Sequence, residues 1–199
     1  MRAEEIRARL SRPWRHGEYA DLRRITVAEP LDLSGRDLSG VDFSGARFDA
    51  PLRAKGARFA GLSWFSAAQF RGGVDFSDAV FASDARFETA EFAQTARFHG
   101  TEFRGIARFD GASFLGPAVF RAALSYGNMS LHGAVFAGPA GFENAQLMGG
   151  LWCEAARFDG GAEFATAEIH GRLMVRGARS AGRRLDPASF GLSFGQTFV

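Results

Sequence analysis

Residues 76–119 read FSDAVFASDAR FETAEFAQTAR FHGTEFRGIAR FDGASFLGPAV, consecutive blocks of eleven that each open on Phe and place a second Phe five residues later. Outward from this stretch, the first Phe belongs to a column running Phe65, Phe76, Phe87, Phe98, Phe109, Phe120, Leu131, Phe142, Cys153 and Phe164. The second belongs to Phe48, Phe59, Phe70, Phe81, Phe92, Phe103, Phe114, Ser125, Phe136, Leu147, Phe158 and Ile169. Two residues before nearly every one of these stands Ala, as at Ala46, Ala57, Ala68, Ala85, Ala96 and Ala107. Steps between bulky residues thus alternate five and six, and self-similarity at a fixed short period marks a repeat architecture.

An eleven-residue period also fits a right-handed helical coiled coil, but the pattern of large residues at 0 and 5 and small ones at 3 and 9 does not. At about 100° per residue these positions point to roughly 0°, 140°, 300° and 180°, which is no single stripe. A helix is also a poor host for 25 glycines. The sixth residue of each long step is commonly a turn former: Pro51, Gly73, Asp84, Thr95, Pro117, Asn128, Pro139, Gly150 and Gly161, with Leu62, Ile106 and Arg172 as exceptions. Large and small residues pointing inward between regular corners describe a solenoid.

Upstream, residues 31–50 read LDLSG RDLSG VDFSG ARFDA, a pure five-residue rhythm carried by Leu33, Leu38, Phe43 and Phe48. Here the chain resembles the pentapeptide-repeat family, whose consensus is a small apolar residue, Asp or Asn, Leu or Phe, Ser or Thr, and a variable position. The resemblance spans roughly residues 31–176. It implies an all-β solenoid, a right-handed quadrilateral β-helix in which each pentapeptide forms one side. The expected organisation is a short N-terminal helical cap over 1–30, the β-helix over 31–176 and a C-terminal capping segment over 177–199. Two eleven-residue units make a coil of 22, and about six and a half coils would form a rod roughly 30 Å long.

A chain of 199 residues with 46% hydrophobic content fits one domain with a core of its own. The net charge is only +2, and between residues 41 and 170 eleven basic residues face fourteen acidic ones. Arg7, Arg9, Arg12, Arg15, Arg23 and Arg24 are interleaved with Glu4, Glu5, Glu18 and Asp21, as on a solvated face rather than a phosphate-binding patch. The lone Cys153 occupies a bulky column and reads as a buried thiol. No apolar run approaches the roughly 18 residues of a membrane span, and the N-terminus is too polar for a secretory leader, so a cytoplasmic location is expected.

Catalytic signals are absent from the sequence. His16, His99, His132 and His170 have no partner at metal-ligand spacing, and no Gly-rich phosphate loop is present. No cofactor and no enzymatic activity are expected. The function expected is that of a scaffold or protein–protein interaction module, its partner another protein or a second copy of the chain. Two regions are candidates. Between Asp110 and Glu143 the only formal charge is Arg121, and Leu115, Val119, Leu124, Tyr126 and Val135 fall at or near outward positions. Within this belt residues 122–130, AALSYGNMS, break the pattern, and a local bulge or loop is expected there. Beyond residue 175 the rhythm dissolves, and Phe190, Phe194 and Phe198 are expected to fold over the last coil, with a homodimer contact as the alternative.

The resemblance implies one competing function, since some family members mimic B-form DNA and modulate type II topoisomerases such as gyrase. A duplex carries about one negative charge per 1.7 Å, which the near balance of acids and bases along this rod does not approach.

Overall fold

The computed structural model describes residues 1–199 and winds them into a four-faced parallel β-solenoid. Strands of two or three residues occupy the faces in rotation until the last coil, where two successive strands share the second face. The first face carries nine strands, from Tyr19–Asp21 to Thr197–Phe198, and the second carries nine, from Thr26–Val27 to Arg183–Arg184. The third has seven, from Leu31–Asp32 to Ala162–Glu163, and the fourth has eight, from Asp37–Leu38 to Leu192–Ser193. All pairings are parallel except a terminal hairpin that sets Arg179–Ser180 against Arg183–Arg184.

The expected coil length is borne out by the register. Arg86 pairs with Trp64 on one side and Arg108 on the other, and Phe92 lies between Phe70 and Phe114, steps of 22 residues. The first coil is one residue shorter, with Tyr19 opposite Gly40, and the last is longer, with Leu173 opposite Thr197. The rod is also longer than the sequence rhythm indicated. Its ladders begin at Tyr19 because Leu22 and Val27, both buried, continue the inward columns of Phe43 and Phe48. Eight steps of about 4.8 Å along the first face span about 38 Å.

The interior is a stack of phenylalanine rings. Phe87 lies on Phe109 at 4.9 Å and 2°, Phe92 on Phe114 at 4.6 Å and 5°, and Phe98 on Phe120 at 4.9 Å and 5°. Rings from the facing first and third faces meet edge to face across the interior, as do Phe98 and Phe109 at 5.3 Å and 83°. Burying each ring contributes about 2 kcal/mol, and favourable ring geometry adds about 0.5–1.5 kcal/mol per pair. The intervening alanines are equally buried, because two bulky columns from facing sides leave room only for a methyl group.

Two kinds of corner close each coil. At the tight corner, Phe87 accepts a hydrogen bond from the Ala90 amide at 3.1 Å, and Thr89 between them sits at φ 55°. Positive φ at the third position is the mark of a type II turn. At the wide corner two or three residues separate the strands, and the second of them is glycine at Gly105, Gly127, Gly149 and Gly171. These stack with backbone on backbone: a Cβ on Gly149 would lie 2.3 Å from the Gly127 carbonyl carbon.

Both ends are covered. Helix α1 (Ala3–Leu10) buries Ala3, Ile6 and Leu10 in the same core as the coils, with acids in its first turn and arginines in its last, as its dipole favours. The Leu10 carbonyl accepts from the Ser39 amide at 2.8 Å, tying the helix to the first coil. At the other end Phe190 lies on Phe164 with ring centroids 4.4 Å apart.

No bulge interrupts residues 122–130, contrary to expectation. Ser125 pairs in register with Phe103 below and Leu147 above. Its hydroxyl, fully buried, donates to the Gly127 carbonyl at 2.9 Å, so removing the ring leaves no unpaired polar group. Lost volume is returned nearby, where the small column of Ala85 and Ala107 switches to Met129 and then Leu151, all fully buried.

Candidate interaction surface

The belt residues do not form one patch. Val135 sits on the second face, Val119 on the third and Leu124 on the fourth, each partly buried by its ladder neighbours. Leu115 is 52% exposed at the wide corner between the second and third faces, and Tyr126 is 53% exposed at the one between the fourth and the first. Residues close in sequence are carried round the rod to different faces. They surround it rather than share a surface.

Tyr126 instead begins a line along its corner. Met148, His170 and Phe194 follow it, each two residues beyond fourth-face strand partners Leu124, Gln146, Glu168 and Leu192. Four equivalent backbone bonds fix the line: the Tyr126 amide donates to Phe103, Met148 to Ser125, His170 to Leu147 and Phe194 to Ile169, at 2.8–3.0 Å. The His170 and Phe194 rings stack at 4.8 Å and 24°, and His170 Nε2 lies 3.2 Å from Glu168 Oε2. Met148 and Phe194 are exposed, as is Leu192 beside them. The result is an apolar ridge about 15 Å long, three coil steps of about 4.8 Å, on backbone that cannot move without breaking the ladder.

Phe190, Phe194 and Phe198 part company in the structure. Phe190 is buried in the end cap, Phe198 is half-buried in the last strand opposite Met174, and only Phe194 joins the ridge. Met148, His170 and Leu192 were missed by sequence reasoning. The 22-residue interval from Tyr126 to Met148 to His170 was the signal that identifies the first two.

Outer charges cancel locally. Arg23 pairs with Asp21 at 2.7 Å, Arg104 with Glu102 at 2.8 Å and Arg157 with Asp159 at 2.6 Å, each across two residues of one turn. The Arg23 guanidinium holds the Asp21 carboxyl down at about 2. Such exposed pairs contribute little to stability, but they leave no continuous acidic or basic face. No three His, Cys, Asp or Glu side chains come together in a way that could hold a metal ion. Burial pushes the Cys153 thiol up to about 12, and its Sγ lies 3.3 Å from the Met174 carbonyl oxygen.

A four-faced solenoid with a ring-stacked interior, covered ends and outward side chains displayed in ladders is a repeat scaffold. The chain belongs to the pentapeptide-repeat family: a family model described as pentapeptide repeats (9 copies) matches over residues 18–79, 54–102 and 126–168. No curated protein matches it. Among solved structures it is similar to two trypsin-treated variants of QnrB1, a plasmid-mediated fluoroquinolone resistance protein, at 18% identity. One match covers 87% of this chain and 91% of the other with a TM-score of 0.41; the second covers 90% and 92% with a TM-score of 0.26. No helix is long and apolar enough to cross a membrane.

Proposed function

We propose that this protein is a non-enzymatic, cytoplasmic interaction module that docks another protein along the ridge formed by Tyr126, Met148, His170 and Phe194, with Leu124 and Leu192 at its flank. The observation that carries this reading is the alignment of exposed apolar and aromatic side chains on backbone held by repeated ladder bonds. Aromatic residues and Met are enriched at protein interfaces, and a rigid display spares the partner complex the entropy of ordering a loop. The local pairing of outer charges weighs against mimicry of a nucleic-acid duplex, which needs a continuous negative field.

The test is capture of partners on immobilised full-length protein, compared with Met148→Glu and Phe194→Glu variants, alongside light scattering to read self-association. Partner capture or self-association that both substitutions abolish supports the ridge. Capture and mass left unchanged by both would overturn it. Inhibition of supercoiling by gyrase in the presence of the protein would instead favour the topoisomerase reading.

A further inference from the structure

At the opposite end of the same corner lies a hollow that the ridge does not use. Residues 14–19, which lead from α1 into the first strand, cross the wide corner between the fourth and first faces and enclose about 340 Å³ against it. Its walls include Trp14, His16, Tyr19 and Leu62, and Glu18 supplies the only carboxylate. Although this end of the chain is rich in arginine, no Arg or Lys lines the hollow.

The aromatic walls are held at angles to one another. Trp14 and His16 meet edge to face at 6.1 Å and 78°. Tyr19 is braced from behind by Trp64 at 5.4 Å and 58°. Trp14 lies directly on the backbone of Gly61, where an added Cβ would come within 2.5 Å of the indole nitrogen. Trp14 and Tyr19 are nonetheless 40% and 46% exposed. Packing against the core therefore does not account for two large rings in this place.

We infer that this hollow is a binding site for an alkylated ammonium cation, its head held by the Trp14 and Tyr19 rings and its charge met by Glu18. Aromatic faces attract cations through the ring quadrupole, most strongly from Trp, and the attraction favours quaternary ammonium because such heads shed water readily. The Glu18 carboxylate fits that sign of charge; Arg9 and Arg12 line the adjoining hollow that Trp14, Glu18 and Tyr19 also border, not this one. The same head occurs in free choline-like molecules and in trimethylated lysine side chains.

Choline, its neutral isostere 3,3-dimethyl-1-butanol, and a short peptide carrying lysine or trimethyl-lysine are titrated into full-length protein, with the three indole N–H resonances followed by NMR. The expected result is a shift at Trp14 with choline at a dissociation constant on the order of a millimolar, and binding of the neutral isostere weaker by about tenfold. Tighter binding of the trimethylated peptide than of choline would identify the modified side chain as the source; the reverse would identify the free molecule. Trp14→Ala is expected to lower affinity about tenfold and Glu18→Gln a few-fold. Neither residue's side chain joins a ladder hydrogen bond, so far-UV circular dichroism should be unchanged in both. Equal binding of cation and isostere, or full affinity in Trp14→Ala, overturns the assignment, as does the absence of any shift at about 10 mM of either cationic probe.

Discussion

The Phe190 ring lies on Phe164 with centroids 4.4 Å apart, placing a residue from the irregular C-terminal segment at the end of the regular ring stack. Its role is therefore closure of the core, whereas Phe194, four residues on and 64% exposed, has no such task. Phe190→Ala is expected to cost about 3 kcal/mol, seen as a lower urea midpoint. Phe194→Glu should change stability by less than about 0.5 kcal/mol. Equal losses from the two would mean that Phe194 also belongs to the cap.

Ser125 and Met129 make a second prediction. Ser125 occupies a ring position and Met129 a methyl position, and both are fully buried, so the interior stays filled by exchanging sizes between columns. Ser125→Phe alone should overpack the coil and cost about 1–3 kcal/mol. The double variant Ser125→Phe/Met129→Ala should recover at least about half of that cost, a coupling that a double-mutant cycle resolves. Additive losses would show that the two columns do not share the space.

The corners respond to substitution in opposite senses. Gly149→Ala drives a Cβ into the Gly127 backbone at 2.3 Å. Ser83 stands at the same corner position lower in the rod, so the corner can adjust to a side chain, and the expected cost is about 1–3 kcal/mol rather than unfolding. At the tight corner Ala122 sits exposed at φ 53°, a conformation unfavourable for any residue with a Cβ. Ala122→Gly relieves it and should raise stability by about 0.5 kcal/mol, the strain released less the added chain entropy. Thermal unfolding of both variants reads the difference, and a stabilised Gly149→Ala would refute the close-contact reading.

The ring columns made the solenoid legible because each inward position repeats at a fixed interval and burial enforces the repeat. Placement of the surface was harder to see. Leu115, Val119, Leu124, Tyr126 and Val135 are neighbours along the chain, but neighbours along one corner of the rod are separated by a whole coil. Tyr126 and Met148 are thus adjacent where Tyr126 and Val135 are not. Leu22 and Val27 escaped notice as the first coil because charged residues surround them and the step there is 21, not 22. The glycines of the wide corners were visible at every eleventh residue, yet the residue after each looked like the corner. What requires glycine is contact between coils, which composition does not reveal.

Cys153 links burial to pH. Its thiol, ordinarily near 9.0, is pushed to about 12 in the folded rod by the loss of water around it, with the nearby Glu154 charge adding to the shift. The folded state thus retains the proton after the unfolded chain has released it. Stability from this group is fully present below about pH 9 and is lost progressively as pH rises toward 12. Denaturation midpoints measured from pH 8 to 11 should fall for the native protein and fall less for Cys153→Ala, after allowing for the lower starting stability of the variant. At pH 8 the native thiol should also resist a disulfide reagent that labels it readily in urea, because the thiolate is the nucleophile and its sulfur is buried. Rapid labelling of the folded protein would place Cys153 within reach of solvent and contradict the closed interior on which the ring stack depends.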